Sequence, residues 1–381
     1  ATRRRSSGSH RDVVVTEATG PQDLLALWSS EQWLADTDAW IHEAALTVGA
    51  RVSGPIETTH HRFWAVVRRV STDQGVMWFK ENAPSQSFEA ALVRTIDQVA
   101  PGQVAPVVAT EDVRGWLLTR DLGSPLAEDP ALQSDSAAGA ALAELAGSYA
   151  GLQRTLEGRA RDMWAAGVPS FDYGNAMAYA VALADQLAGL PMEDGRRLDA
   201  DGRRMVDAGL SRLGEAAARL EVDGIPESLE HNDLHLWNAF HAAVPARSGF
   251  SRLGPSGVVS PEATGLAVID LGDALWSHPF ATLRLLCWNA RRRLGSGPGD
   301  PAYERIVEAY LDHWSEFGTE TDLRRLLPAA ERLSCLHRAE SWRRLMADVP
   351  LSTIPDDYLD APAYWLQAAC SIDPYVWTCE N

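Results

Sequence analysis

The sequence predicts an α+β fold made of two lobes, the first rich in β-strands and the second mostly helical. Strand-like segments rich in Val, Thr, Phe and Trp lie between about residues 52 and 120. Beyond about residue 122, apolar residues recur with the spacing of amphipathic helices. A strand-rich half followed by a helix-rich half is typical of α+β proteins, and 381 residues suffice for two such lobes.

The first lobe is expected to cover residues 21–121. Residues 1–20 are expected to form a disordered arm, whose basic and polar start lacks the apolar segment of a signal peptide. Helical spacing covers residues 21–49, with a break near residues 35–38, and returns at residues 86–99. Strands are predicted at residues 52–59, 63–71, 75–81, 104–110 and 115–120.

The second lobe, residues 122–381, begins where Gly123, Ser124 and Pro125 interrupt the strand pattern. A polar, His-rich loop at residues 226–242 and a short apolar strand at 266–270 interrupt its helices. Residues 243–264 between them are rich in Gly, Pro and Ser, which predicts a surface excursion. Helices are predicted at residues 136–157, 173–190, 200–221, 278–294, 301–316, 321–346 and 361–370.

The net charge is strongly negative, −18 from 34 basic and 52 acidic residues. Such a chain repels phosphate backbones and anionic lipid, so nucleic-acid binding and a peripheral membrane role are not expected. No apolar run is long enough for a membrane span, and the four cysteines show no CxxC spacing. These features indicate a cytoplasmic protein with reduced thiols.

Lys80 is the only lysine among the 34 basic residues. A coding bias toward arginine accounts for most of this imbalance, and Lys80 could then be a chance survivor. Alternatively, the position requires a compact ammonium group, which the planar guanidinium of arginine cannot replace. Lys80 stands at the end of a predicted strand, and Glu89 follows in the next predicted helix. A lysine–glutamate pair at these places can hold a positive charge toward nucleotide phosphates.

Two polar clusters in the second lobe have the composition of a metal-dependent site. The first runs from His231 to Asn238, and the second, Asp270 to Asp273, ends an apolar strand. If the intervening excursion loops out, Asp233, Asn238 and Asp270 come close together. Carboxylate and amide oxygens suit Mg²⁺, and a further acid beside the metal ligands can accept a proton from an attacking hydroxyl.

In this combination and order the motifs resemble the aminoglycoside phosphotransferase-like family, small-molecule kinases that share the bilobal protein-kinase-like fold. The resemblance runs from about Gly54 to Trp342. It implies phosphoryl transfer from ATP with Mg²⁺ as cofactor. It further implies a catalytic base at Asp233, metal ligands at Asn238 and Asp270, and contact of Lys80, steadied by Glu89, with the α- and β-phosphates.

The resemblance also implies an interlobe hinge whose backbone binds the adenine edge, at Thr119, Arg120, Asp121 and Leu122. One departure concerns the first hairpin, Thr58 to Ala65, which has no glycine and so differs from the glycine-rich loop of protein kinases. Phosphate cover there would depend on backbone N–H groups or on the side chains of His60, His61 or Arg62.

The acceptor is expected to be a small molecule, and the charge distribution favours a cation. Residues 1–121 carry a net charge of −3 and residues 122–381 a net charge of −15. Acceptors in the resembled family include aminoglycosides, macrolides, amino sugars and choline. Part of the acidity could serve only solubility or helix capping. The candidate acceptor contacts are Asp172, Glu340 and the acidic run Asp356, Asp357 and Asp360, with His235 as either a core histidine or a lining of the site.

The sequence also allows two other functions. His231, Asp233 and His235 resemble the ligand cluster of a zinc hydrolase, although no further zinc-binding motif accompanies them. A catalytically silent nucleotide-binding module is the second alternative. In the kinase interpretation, His231 braces the loop by hydrogen bonds and Trp237 packs beneath it.

Overall fold

The computed structural model describes residues 20–242 and 265–373, and the predicted arm and surface excursion therefore lie outside the described residues, apart from Gly20. A five-stranded antiparallel sheet forms the first lobe, in the order β1-β2-β3-β5-β4. Its strands are β1 (Val52–Arg62), β2 (Ala65–Thr72), β3 (Gly75–Asn82), β4 (Val107–Glu111) and β5 (Trp116–Arg120). Three helices accompany the sheet: α1 (Leu24–Trp28), α2 (Glu31–Thr47) and α3 (Glu89–Val99).

Helices α1 and α2 cover one face of this sheet, because the side chains of each strand alternate between its two faces. Phe79 of β3 is fully buried on this outer face and meets the rings of Trp33 and Trp40 at centroid distances of 6.1 and 5.9 Å. Lys80, the next residue, therefore projects from the opposite face, toward the second lobe.

Glu81 anchors the outer face through three indole groups. Its carboxylate accepts hydrogen bonds from the Nε1 atoms of Trp28 (3.1 Å), Trp33 (2.8 Å) and Trp116. Burial raises the pKa of Glu81, while the three indole donors act in the opposite direction. Helices α1 and α2 are thus tied to β3 directly beside Lys80.

The second lobe consists mainly of helices around two small strand pairs. Strands β6 (Ser228–Glu230) and β9 (Leu275–Ser277) pair, as do β7 (Ala239–Ala242) and β8 (Gly265–Val268). The helices are α4 (Asp135–Thr155), α5 (Ala160–Ala165), α6 (Ala176–Ala188), α7 (Ala200–Glu221), α8 (Leu283–Leu294), α9 (Pro301–Leu311), α10 (Glu320–Arg324), α11 (Leu327–Asp348), α12 (Asp356–Leu359) and α13 (Ala361–Cys370).

Hydrophobic packing joins the two lobes at two places. Buried side chains of α3 and Leu117 belong to the same core as the helices of the second lobe. A second core runs from the outer face of the sheet to the end of α11, including Leu345 and Ile354. Beside it, Tyr358 stacks on Trp342 and contacts Trp64 in the turn between β1 and β2.

The α+β class and the order of a strand-rich and a helical lobe are confirmed, but some predicted boundaries are wrong. The helical break lies at Ser29–Ser30 rather than near residues 35–38, because Ser30 caps α2 by accepting a hydrogen bond from the Trp33 amide. The predicted helix at residues 86–99 starts at Glu89, after a 3₁₀ turn that begins with Pro84.

None of the helices in the described ranges combines the length and apolar character required to cross a membrane. Three of the four cysteines, Cys287, Cys335 and Cys370, lie within those ranges, where each is buried and unpaired.

Candidate active site

Lys80 lies on β3 in the centre of the sheet, between two strands that fix its position. It pairs with Val67 of β2 on one side and Leu117 of β5 on the other. Because directly opposite residues of antiparallel strands share a face, all three side chains line the cleft between the lobes. The side chain of Lys80 is only 17% exposed.

The Lys80 ammonium group lies between two carboxylates from different lobes. Its Nζ is 2.7 Å from Oε2 of Glu89 and 2.5 Å from Oδ1 of Asp270. Burial alone would lower the pKa of Lys80, but the charges of Asp270 and Glu89 outweigh burial and raise it. The lysine is therefore cationic at neutral pH.

Glu89 connects the sheet to the segment that carries Asp270. It accepts hydrogen bonds from the Asn82 side chain and, at 2.9 Å, from the backbone N–H of Leu271. Glu89 is buried at the first position of α3, where the helix dipole favours a carboxylate. Its placement therefore depends on both lobes and on the start of the helix.

The loop of residues 231–238 lies between β6 and β7 and is fastened to the end of β8. His231 Nε2 is 3.0 Å from the carbonyl oxygen of Ile269, and the Ile269 amide donates to the Asn238 carbonyl at 3.0 Å. His231 thus braces the loop, as expected. Asn232 and Asp270 both have a positive φ, 62° and 64°, which non-glycine residues adopt at a conformational cost.

Asp233 is partly buried, with 26% of its side chain exposed, and lies close to the predicted site residues Asn238 and His235. The Asn238 side-chain amide donates to the Asp233 carbonyl at 3.0 Å and lies 3.5 Å from its Oδ2. His235 Nε2 is 3.4 Å from the same Oδ2. His235 therefore lines the site rather than filling a core. Burial would raise the pKa of Asp233, but Arg338 and His235 outweigh it and lower the pKa well below its usual range.

Arg338 and Asp273 form an ion pair at the centre of a hydrogen-bond network. The sequence motifs did not single out Arg338. Arg338, on α11, lies 3.5 Å from Oδ1 of Asp233 and 3.2 Å from Oδ2 of Asp273. Asp273 also accepts hydrogen bonds from Gln86 Nε2 at 2.7 Å and from the Ser341 hydroxyl. Gln86 lies three residues before Glu89, at the end of the 3₁₀ turn that precedes α3. Asp273 therefore links the first lobe to α11.

The donor set at this site fits a divalent cation that prefers oxygen. Asp270 presents a carboxylate, and Asn238 turns its amide nitrogen toward Asp233, so its amide oxygen is the atom suited to a metal. In the part of the chain that the structure describes, no three His, Cys, Asp or Glu side chains cluster as a metal site. With His231 engaged to Ile269, the arrangement does not favour a zinc centre.

The predicted hinge, residues 119–122, comprises the last two residues of β5 and the two residues that follow it. Thr119 and Arg120 belong to β5, and the Asp121 amide donates to the Val76 carbonyl at 3.2 Å. Leu122 follows before the chain turns at Gly123, whose φ of 84° suits glycine.

Trp78 is a cleft residue that the sequence analysis missed. It precedes Lys80 by two positions on the same face of β3 and pairs with Thr119. Its indole donates to Asp121 Oδ1 at 2.6 Å, which fixes the ring beside the hinge. The sequence did contain a signal for this position: residues two apart on a strand share a face, so Trp78 had to lie on the same face as Lys80.

The candidate acceptor contacts differ in whether other side chains of the protein already bind their carboxylates. Glu340 accepts two hydrogen bonds from Arg343, at 2.7 and 2.8 Å, and one from the Tyr179 hydroxyl. Asp172 caps the turn that follows it by accepting from Gly174 and Asn175. Asp356 is exposed in the first turn of α12, as Asp357 is, while Asp360 directly precedes α13.

Trp237 does not pack beneath the loop, contrary to expectation, and is 58% exposed. Its neighbours Leu236 and Asn238 take the buried positions of this short 3₁₀ turn. Because the residues on both sides of Trp237 face inward, its indole faces outward, next to the predicted metal ligand Asn238. The turn itself packs against the segment Leu126–Glu128, just beyond the hinge.

Together the sheet, the hinge and the loop define the fold of the small-molecule kinases and phosphotransferases. A Plasmodium vivax ethanolamine kinase has a TM-score of 0.58 and 13% identity, with 90% of each chain covered. A choline/ethanolamine kinase family protein from Mesorhizobium loti has a TM-score of 0.52 and 15% identity, covering 90% of this chain and 97% of that one.

An aminoglycoside 2'-phosphotransferase variant in complex with GDP has a TM-score of 0.52 and 14% identity, covering 87% of this chain and 96% of that one. No family model and no curated protein sequence matches the chain. At these identities the likeness establishes the fold, and the fold expected from the sequence resemblance is confirmed.

Replacing Glu89 with Gln should destabilise the protein, because Lys80 loses its buried counter-charge and keeps only the half-exposed Asp270. We expect a loss of about 1–3 kcal/mol in the free energy of unfolding, measured by urea denaturation. Glu31→Gln is the matched control, since Glu31 is the exposed first residue of α2 and has a similar dipole contribution of about 0.5 kcal/mol. Equal effects of the two substitutions would show that the Lys80 contact contributes nothing.

Proposed function

We propose that this protein transfers the γ-phosphoryl group of ATP to a hydroxyl group of a small, amine-bearing molecule. The observation that carries the proposal is the convergence of five side chains at one cleft. Lys80 and Glu89 come from the first lobe, and Asp233, Asn238 and Asp270 come from the second. A cation, a buried acid and oxygen donors in this arrangement suit phosphoryl transfer.

In the proposed mechanism, the nucleotide lies between the sheet and the second lobe. The cationic Lys80 meets the phosphates, and the indole of Trp78, fixed by Asp121, provides an aromatic surface for the base beside the hinge. Asn238 and Asp270 would hold Mg²⁺, which when bound neutralises the charge that develops on the transferred group.

Asp233 takes the proton of the acceptor hydroxyl. The hydroxyl oxygen forms a bond to the γ-phosphorus while the bond from the γ-phosphorus to the bridging oxygen breaks, and its electron pair leaves with ADP. The lowered pKa of Asp233 keeps the carboxylate deprotonated at neutral pH. His235 and Asn238 flank the oxygen that faces the cleft.

An amine on the acceptor would suit two features of the second lobe. The net charge of −15 attracts cations toward the cleft. Trp237 presents an exposed indole beside the catalytic loop, and an ammonium group over such a ring gains about 0.5–2 kcal/mol. Since Glu340 is paired with Arg343, we assign the nearer contact to Trp237 rather than to Glu340.

The Asp233→Asn variant tests the reaction itself. The amide cannot accept the hydroxyl proton, so kcat should fall by about 10²- to 10⁴-fold. The ATP dissociation constant, measured by calorimetry with Mg²⁺, should change little. Turnover is measured as ADP release across a panel of amino sugars, aminoglycosides and amino alcohols, with mass spectrometry of the product. Parent-like turnover would remove Asp233 from the mechanism, and ATP binding without turnover by the parent would favour a silent module.

Replacing Lys80 with Arg should not preserve function. The planar guanidinium does not fit between carboxylates that lie 2.5 and 2.7 Å from the ammonium nitrogen. Arg and Met variants should both weaken ATP binding, in calorimetry, by about tenfold or more. If the Arg variant binds and turns over ATP like the parent, the single lysine is an accident of composition.

Replacing Trp237 with Ala should raise the acceptor KM by about 3- to 30-fold with little change in kcat, because the ring contributes to binding rather than to chemistry. Trp237→Phe should retain most of the affinity. Trp164→Ala is the control, since Trp164 is also half-exposed, at 52%, but lies on α5. An unchanged KM in Trp237→Ala, or equal affinity for an N-acetylated acceptor, contradicts this assignment.

A further inference from the structure

Arg338, on α11, contacts two residues of the loop of residues 231–238 and also Asp273. Its Nη1 donates to the carbonyl oxygen of Asn232 at 3.0 Å and to Asp273 Oδ2 at 3.2 Å, and it lies 3.5 Å from Asp233 Oδ1. The Arg338 side chain is only 14% exposed. A buried guanidinium with two carboxylates and a carbonyl around it is fixed in position.

The Asn232 carbonyl belongs to a strained stretch of backbone. Asn232 has a φ of 62°, and its side chain donates to the Asp273 carbonyl at 3.3 Å. A non-glycine residue keeps a positive φ only where its surroundings enforce it. Arg338 is one of those constraints, since it binds the carbonyl that directly precedes Asp233.

The two carboxylate oxygens of Asp233 have different surroundings. Oδ1 faces Arg338, whereas Oδ2 lies 3.4 Å from His235 Nε2 and 3.5 Å from Asn238 Nδ2. Oδ2 is thus the oxygen beside Asn238, a predicted metal ligand. The guanidinium therefore distinguishes one oxygen from the other.

We propose that Arg338 is the positioning residue of the catalytic base: it holds Asp233 by Oδ1 and leaves Oδ2 to accept the hydroxyl proton. The inference rests on the proposed phosphoryl transfer. Asp233 Oδ2 gains the proton, the hydroxyl oxygen bonds to the γ-phosphorus, and ADP leaves with the electron pair of the broken bond. Arg338 itself neither gains nor loses a proton.

The role requires a guanidinium rather than any positive charge. All three contacts involve Nη1 of Arg338, so what matters is the length of the side chain and the rigid plane that places this nitrogen between the carbonyl and the two carboxylates, and the shorter, flexible lysine does not reproduce either. The carboxylates whose charges act on it are those of Asp233 in the loop, Asp270 and Asp273 after β8, and Glu230 at the end of β6. Glu230 is itself paired with His337, which leaves Asp233 and Asp273 as the direct partners.

The first experiment measures steady-state kinetics of Arg338→Met and Arg338→Lys. We expect kcat to fall by about 10- to 100-fold in both, because the base loses its alignment, while the KM for ATP changes little. In Arg338→Ala, low concentrations of guanidinium chloride should restore part of kcat, and sodium chloride should not. Arg325→Met is the control, since Arg325 is exposed and pairs only locally with Asp322.

Ser341→Ala separates alignment of Asp233 from support of Asp273. Ser341 donates to Asp273, as Arg338 does, but its described hydrogen bond involves no atom of Asp233. We expect a much smaller fall in kcat than in Arg338→Met. Equal losses in the two variants, or parent-like kcat in Arg338→Met, would overturn the proposal.

A second experiment tests the contact between Arg338 and Asp233 without measuring turnover. The melting temperature is measured for Arg338→Met, Asp233→Asn and the double variant. Arg338→Met should lower it more in the parent than in the Asp233→Asn background, because the parent is left with an unpaired buried carboxylate. Equal shifts in both backgrounds overturn the inference. If the parent transfers no phosphoryl group, the proposed function fails, and this cycle alone decides whether Arg338 holds Asp233.

Discussion

The carboxylate of Glu89 is the contact on which the geometry of the cleft depends. It pairs with Lys80 from the sheet and accepts the Leu271 amide from the second lobe. Because it stands at the first position of α3, a displacement of that helix would move the counter-charge of Lys80 and release the segment after Asp270. One acid therefore holds the strand that carries Lys80 and the segment that follows Asp270 in register.

Helix α11 also contacts both the loop of residues 231–238 and the first lobe. Arg338 and Ser341 contact Asp273, which also binds Gln86 next to α3. About two turns beyond Ser341, Asp348 accepts the Ser85 amide at 2.8 Å. The same helix thus reaches the loop of Asp233 and the segment before Glu89, and the two lobes meet along its polar face.

The sequence predicted those parts of the site whose signals are local. Asp233, Asn238 and Asp270 lie in short motifs, and Lys80 ends a recognisable strand. Arg338 could not be found in this way, because 105 residues separate it from Asp233 and an arginine in a helix has no distinguishing spacing. Trp237 was misplaced for a different reason: its exposure follows from Leu236 and Asn238 occupying the buried positions of a turn, which composition does not reveal.

The single lysine gives the protein an unusual chemical profile. Acylation, carbamylation and Schiff-base formation all require an unprotonated ε-amine, and the chain offers one such group. That amine is buried between two carboxylates that raise its pKa, so the nucleophilic form is scarce at neutral pH. The ion pairs that hold Lys80 therefore also make the side chains of this protein nearly inert toward amine-directed modification.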